Sequence, residues 1–254
     1  MNEISSNRLP SASLLKNLII GNGKMARHFS HYLSLLDVPF ENISRHHQSE
    51  SEFKTQIKNA DRIFLAISDS AIIPFVEKFY EPNKIWIHFS GALSHPQVFG
   101  CHPLMSFSET LYPLEDYHKI HFVITHTTSS QFKPDGDTLK LSDLMPFLPN
   151  SFSVLSEEEK SLYHAYCVIA GNFPIILWSL VNTKFKNWNI PGSALDHYLQ
   201  INLNNFKNLK DHSLTGPLQR KDLLTISKNI TSLNKELPTQ ELYRAFVKLK
   251  GIQL

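Results

Sequence analysis

Gly21-Asn22-Gly23-Lys24-Met25-Ala26 fits the G-x-G-x-x-G/A spacing and stands between a short apolar run and a helical pattern. In that spacing Gly21 permits a tight turn, Gly23 lets the backbone approach a pyrophosphate, and small Ala26 lets the following helix lie close to the strand. The free N–H groups at the helix start then hold phosphate. All six residues are read as dinucleotide-binding. The glycine pair stands out because the chain holds nine glycines in 254 residues, about half the usual share of roughly 7%. The type of dinucleotide is read about 20 residues further on, where the chain has Ser44-Arg45-His46-His47 and no carboxylate. The nearest acid, Glu41, falls inside a strand pattern rather than at its end. A hydroxyl and a guanidinium suit a 2′-phosphate, which arginine grips with two bonds. Ser44 and Arg45 are therefore expected to read NADP(H).

Hydride chemistry at a carbinol or amine carbon needs a proton donor or acceptor that works near neutrality, and histidine is the natural choice. Two of the thirteen histidines stand out. His164 and Asn172 are eight residues apart in a helical stretch, so both can point from one face; the competing reading gives Asn172 the carbonyls freed by Pro174. His102 stands just past a strand pattern and before Pro103, in a loop that should open on the crevice at the strand ends. We take His164, Asn172 and His102 as the catalytic candidates. Thr215 and Arg220 flank Gly216-Pro217, a helix start whose N–H groups suit an anionic group; a contact from Asp222 to Arg220 is the competing reading. His118, His121 and His126 do not make a metal set, because the last two are five apart on a strand and face opposite sides. No metal is expected.

Short apolar runs alternating with helical periods must position these residues, which argues for βαβ units and a parallel sheet. Strands are expected at Leu18–Ile20, Phe40–Ser44, Ile63–Ile67, Ile85–Phe89, Gly100–Leu104, His121–Thr125 and Phe152–Leu155, with helices over Lys24–Leu36, Asp69–Tyr80 and the Asp135–Phe147 region. From Ser156, followed by three glutamates that suit a helix N-terminus, only helical periods remain. The first should run into the apolar stretch Ala165–Val181 as a buried helix kinked at Pro174. Others are marked by Leu195 to Leu209, by Leu223 to Leu233 with Pro217 near the first turn, and by Leu242 to Leu249 before Gly251. The outline is an α/β domain at 14–155, Rossmann-like with a mostly parallel sheet, followed by an all-helical domain at 156–254.

Apolar residues at 42% and charged residues at 19% exclude a disordered chain. A net charge of +2 gives no global field for nucleic acid or anionic membrane. Residues 206–250 hold nine Lys or Arg against four acids, but without an aromatic stacking pattern they read as a solvated surface. Two cysteines without a CxxC spacing fit a reducing, cytoplasmic location, and the first sixteen residues carry no apolar core of signal-peptide length.

Several segments together resemble a family of NADP oxidoreductase-like proteins that pair a Rossmann-like domain with a helical C-terminal domain of unknown function. They are the glycine turn, Asp61-Arg-Ile-Phe-Leu-Ala-Ile-Ser-Asp, His88-Phe-Ser-Gly-Ala-Leu-Ser, Gly100-Cys-His-Pro-Leu-Met-Ser-Phe, His164-Ala-Tyr-Cys-Val-Ile-Ala-Gly-Asn172 and Leu214-Thr-Gly-Pro-Leu-Gln-Arg-Lys-Asp222. More distantly the layout is similar to pyrroline-5-carboxylate reductase, hydroxyisobutyrate-type dehydrogenases and prephenate dehydrogenase. The resemblance implies nicotinamide at the carboxyl ends of the strands and a helical domain that closes the site, commonly in a homodimer. It adds Ile67, Ser68, Ser90 and Gly91 to the cofactor-binding positions and Thr215 and Arg220 to the substrate-binding ones. By analogy with the lysine and asparagine that the hydroxyisobutyrate-type enzymes use on the corresponding helix, His164 would be acid or base and Asn172 a ligand. Two positions depart from the family pattern: Lys221 stands where glycine is usual, and Gly171 where a serine often precedes the asparagine. The expected function is NADP(H)-dependent hydride transfer to or from a small anionic substrate between the two domains. The alternative is a non-catalytic NADP(H)-binding sensor or interaction module.

Overall fold

The computed structural model describes residues 16–44, 49–125 and 139–253. Arg45 and His126, and the start of the helix expected from Asp135, lie outside the described residues. Contacts divide the chain into two compact units, one running to Ile175 and one from Ile176.

In the first unit, strands β1 (Asn17–Ile20), β2 (Phe40–Ile43), β3 (Arg62–Leu65), β4 (Ile85–His88), β5 (Phe99–Pro103), β6 (Phe122–Thr125) and β7 (Phe152–Leu155) form one sheet in the order β2-β1-β3-β4-β5-β6-β7. Each of the seven expected runs is a strand. All neighbours are parallel except β5 and β6, where Cys101 faces Ile124 in an antiparallel pair. Side chains alternate across the sheet. Ile19, Phe64 and Ile87 pack on one face with Phe29 and Leu33 of α1 (Lys24–Leu35), Tyr117 of α4 (Leu114–His118) and Leu144 of α5 (Leu141–Leu144). Leu18, Ile20, Ile63, Leu65 and Trp86 pack on the other with Phe53 and Ile57 of α2 (Glu50–Asn59) and Ile72 and Val76 of α3 (Asp69–Phe79). Burial on both faces is why these strands read as unbroken apolar runs.

The sequence reading missed α2, although Ser49 and Glu52 form a full capping box at its start. The helix after β7 is α6 (Glu157–Asn187), which passes through Pro174. It is not the buried helix that its composition suggested: Tyr166 and Ile176 are each 63% exposed. By length and hydropathy alone α6 could cross a membrane.

The second unit continues with α7 (Gly192–Leu209), a 3-10 turn at Lys210–Ser213, α8 (Gly216–Arg220), α9 (Leu223–Ser232) and α10 (Leu237–Leu249). Its core is Ile226, Ile230, Val247 and Ile252, and Lys184 of α6 pairs with Glu236 at 2.7 Å. Pro217 opens the five-residue α8 rather than the longer helix. Asp222 starts α9 instead, its carboxylate accepting from the Thr225 N–H at 3.0 Å and hydroxyl at 2.7 Å.

Candidate functional site

Gly21 adopts φ +137°, and a Cβ there would run into the Ala66 carbonyl. Glycine is required because the turn after β1 passes against the end of β3, where Ala66 N–H donates to Ile20 O at 2.9 Å. Gly23, by contrast, has open space at its Cβ position and caps α1 with no side-chain hydrogen bond and no acid in the first turn. The α1 N–H groups therefore face outward with their positive end uncompensated by an acid of that turn. Lys24 and Arg27 add cations, both paired with Glu109 at 3.0 Å.

This turn lies at the carboxyl ends of β1 and β3, where the sheet order reverses direction from β2 to β3, the usual crevice of an open α/β sheet. A cavity of about 900 Å³ opens there, lined by Gly21 to Met25, buried Ser44, Ala66 to Ser68, Ala71, Pro74 and Lys78 of α3, and Glu50 of α2. Ala26, in the first turn of α1, is buried and is not part of the lining.

A polar cluster begins next to Ser68 of the cavity lining. Ser68 lines the cavity, and adjacent Asp69 accepts a 2.6 Å hydrogen bond from Ser90 Oγ, which also accepts from the Ala92 and Leu93 N–H groups. Next to Ser90, Gly91 has no room for a side chain: a Cβ would strike the His164 ring and lie 3.0 Å from His102 Nε2. His102 from β5 and His164 from α6 thus meet over Gly91, with ring centroids 6.1 Å apart and nearly perpendicular. His102 Nδ1 lies 2.8 Å from the Tyr163 hydroxyl. Burial, His164 and Lys160 together push the His102 pKa down to about 4, against a raising influence from Asp69. His102 is therefore neutral at pH 7, with one nitrogen a donor and the other an acceptor. Burial and its hydrogen bond with Cys167 hold the Tyr163 hydroxyl protonated.

Lys160 sits one turn before His164 on α6 and is only 2% exposed. Its ammonium takes the space that a side chain at position 100 would need, directly against Gly100. Among the described residues it has no hydrogen-bond partner and no carboxylate within ion-pair distance. Burial lowers its pKa to about 8, with Cys101, Glu157 and Asp69 opposing. The neighbouring His88 ring is fully buried, accepts from the Ser90 N–H at 3.2 Å through Nδ1, and is held neutral by burial and by Lys160, its pKa down at about 3.

The structure thus brings together His102, His164, Ser90 and Gly91, and adds Asp69, Lys160 and Tyr163, which the sequence reading missed. Lys160 was legible as the i−4 neighbour of His164 on one helical face; the Tyr163 contact, across 61 residues, had no local signal. Asn172 is exposed and makes no side-chain hydrogen bond among the described residues, to the carbonyls near Pro174 or elsewhere. Thr215 caps α8 without a side-chain bond, and Arg220 ends that helix exposed. Both belong to the second unit, as does Asp222, whose carboxyl is held low by the Thr225 hydrogen bonds first and by the Arg220 charge to a lesser degree. Lys221, where the family pattern has glycine, sits at φ +54°, ψ +40°. That left-handed conformation is the reason glycine suits the position. At Gly171 a side chain would have ordinary room, 3.6 Å from Ser106 Oγ.

Strand order, glycine turn and crevice define a Rossmann-like α/β fold followed by a helical C-terminal region. Residues 135–249 match the family described as Domain of unknown function (DUF2520). No curated protein sequence matches the chain. Among solved structures it is similar to BF3122 from Bacteroides fragilis, provisionally designated an NADP oxidoreductase, at 18% identity and TM-score 0.69, over 94% of this chain and 99% of that one. Protein TM1727 from Thermotoga maritima follows at 21% identity and TM-score 0.66, over 92% and 96%. An imine reductase from Myxococcus stipitatus in complex with NADP+ matches at 10% identity and TM-score 0.59, over 92% of each chain. The likeness to these structures is one of fold.

Proposed function

We propose that the protein binds NADP(H) and catalyses hydride transfer to or from a small anionic substrate at the cluster over Gly91. The observation that carries this reading is continuity: the cavity at the Gly21–Met25 turn is also lined by Ser68, and Asp69, next in the chain, hydrogen-bonds Ser90 beside Gly91, where the two histidines meet. The open Cβ position at Gly23 and the uncapped α1 start fit a pyrophosphate, with Ser44 and Arg45 proposed for the 2′-phosphate. The bound nicotinamide would supply or accept the hydride.

The chain's own residues handle the proton. When the Tyr163 hydroxyl donates to His102 Nδ1, the His102 proton is on Nε2, facing Gly91; when Tyr163 accepts from Nδ1–H, Nε2 presents a lone pair there. Nε2 can therefore meet the reacting atom as hydrogen-bond donor or acceptor with His102 neutral in either tautomer; completing the transfer changes the charge of the pair by one, so a proton must then be exchanged with solvent to restore it. His164 forms the other wall. Lys160, charged and without a carboxylate partner among the described residues, favours an anion or a developing negative charge nearby. The alternative of a non-catalytic sensor rested on Lys221 and Gly171; the left-handed backbone at Lys221 favours a conformational account of the first departure.

We propose a second copy of the chain as the protein partner. Leu224 at 68%, Leu249 at 83% and Ile176 at 63% exposure leave apolar side chains that a partner would cover. The reading keeps the cytoplasmic location and the absence of nucleic-acid or membrane partners as proposals, on the two free cysteines and the charge balance.

NADPH at about a hundred times its dissociation constant should raise stability by roughly 2.7 kcal/mol. No thermal shift with any nicotinamide cofactor would overturn the reading. Oxidation of bound NADPH should then occur with small keto acids in preference to neutral ketones and aldehydes, and should fall at least a hundredfold in His102→Gln; turnover unchanged in that variant would remove the assigned role.

A further inference from the structure

We propose that Lys78, on the last turn of α3, is a binding subsite for the adenosine 2′-phosphate of NADP(H), and that Glu50 of α2 occupies that lysine until the phosphate displaces it. This rests on the cofactor reading above and goes beyond the Ser44–Arg45 expectation, because Lys78 comes from a different element, α3.

Glu50 and Lys78 both line the cavity that the glycine turn lines, together with the apolar Ala71, Pro74 and Phe53. Those apolar residues fit the flat face of an adenine, and the ribose that joins the adenine to the pyrophosphate would present its 2′-phosphate toward Lys78. There the Glu50 carboxylate bridges two ammonium groups, Lys78 Nζ at 2.5 Å and Lys54 Nζ at 3.0 Å. Two cations thus share one acid, and of the two only Lys78 lines the cavity.

All three side chains are about half exposed, at 53%, 49% and 62% for Lys78, Glu50 and Lys54. An ion pair so open to water contributes little to stability and exchanges readily. A phosphate monoester, with close to two negative charges and three acceptor oxygens, is a stronger partner for an ammonium than a single carboxylate. Exchange therefore favours the phosphate. The carboxyl of Glu50 is itself held below the usual range by its hydrogen bonds to the two lysines, so it remains an anion, and a competitor, at neutral pH. An acid in this position could instead accept a ribose hydroxyl and favour NADH, and the two arrangements predict opposite effects of removing its charge.

The test is titration calorimetry on the full chain with NADPH, NADH, 2′,5′-ADP and 5′-AMP. Lys78→Met should weaken NADPH and 2′,5′-ADP at least tenfold while leaving NADH and 5′-AMP within twofold. Glu50→Gln should tighten NADPH and 2′,5′-ADP about threefold or more. An unchanged NADPH-to-NADH ratio in Lys78→Met overturns the subsite. Selective loss of NADH binding in Glu50→Gln overturns it in favour of a ribose-binding acid. If the wild-type chain binds none of the four, the cofactor reading fails, and this inference fails with it; binding by the wild type with no effect in either variant sinks the subsite alone.

Discussion

Replacing Lys160 by methionine should make the protein more stable at neutral pH. The side chain is 2% exposed, and its pKa falls from 10.5 in the unfolded chain to about 8 in the folded one. At about 1.4 kcal/mol per decade, folding with the proton attached costs about 3 kcal/mol. Methionine keeps a similar unbranched length and removes the charge. Because the folded pKa is the lower one, the full cost applies below about pH 8, shrinks as pH rises toward 10.5 and vanishes above it. The difference between Lys160→Met and wild type should therefore be about 3 kcal/mol at pH 7, a rise of roughly 6–12 °C in Tm for a chain of this size, and close to zero at pH 10.5. Urea unfolding of both proteins at pH 6, 7, 8, 9 and 10.5 reads this directly, since other titrating groups cancel in the comparison. A variant less stable than wild type at pH 7, or a difference that does not change with pH, would refute the account of Lys160 as a buried, unpaired ammonium. If Lys160 serves an anionic substrate, the more stable variant should also be the less active one, as expected where a site holds an unfavourable charge for function.

Gly21 and Gly23 should separate folding from binding. Gly21→Ala forces a Cβ into the Ala66 carbonyl at φ +137° and should destabilise by more than about 2 kcal/mol in thermal unfolding, whereas Gly23→Ala, with φ −73° and open space, should melt within about 2 °C of wild type yet bind NADPH at least tenfold more weakly. His102, with its pKa near 4, should show no titration between pH 5 and 8 in nitrogen-15 spectra. Its depressed pKa also means that stability is lost as pH falls from about 6.5 toward 4, because the unfolded chain takes the proton first; an imidazole titrating near 6.5 would contradict its burial. Lys221→Gly should stabilise by about 1 kcal/mol in urea unfolding, by relieving a left-handed lysine, and a loss of stability would show that the lysine side chain has an unseen role.

Local chemistry was legible wherever a few neighbouring residues decide it. The runs around Ile19, Ile63 and Trp86 are apolar on both faces, and the Gly21–Ala26 turn sits between strand and helix, so strands, parallel sheet and phosphate turn followed from the sequence. Ser49 and Glu52 were equally legible as the start of α2 and were overlooked. Tertiary structure alone decided the rest. Strand order puts β5 beside β4, and this carries His102 to Gly91, where the first turns of α6 deliver Tyr163 and His164. No period in the sequence records a contact across 61 residues. Lys160 runs against its residue type, since lysine is almost never fully buried; only the missing side chain of Gly100 makes space for it. The same holds for the Lys78–Glu50 pair, brought together when α2 and α3 pack on one face of the sheet, and for α6, whose composition implied a core that the single chain does not give it. Periodicity fixes which elements form and which face of each is apolar; the identity of what meets that face is a property of the assembled sheet and its helices.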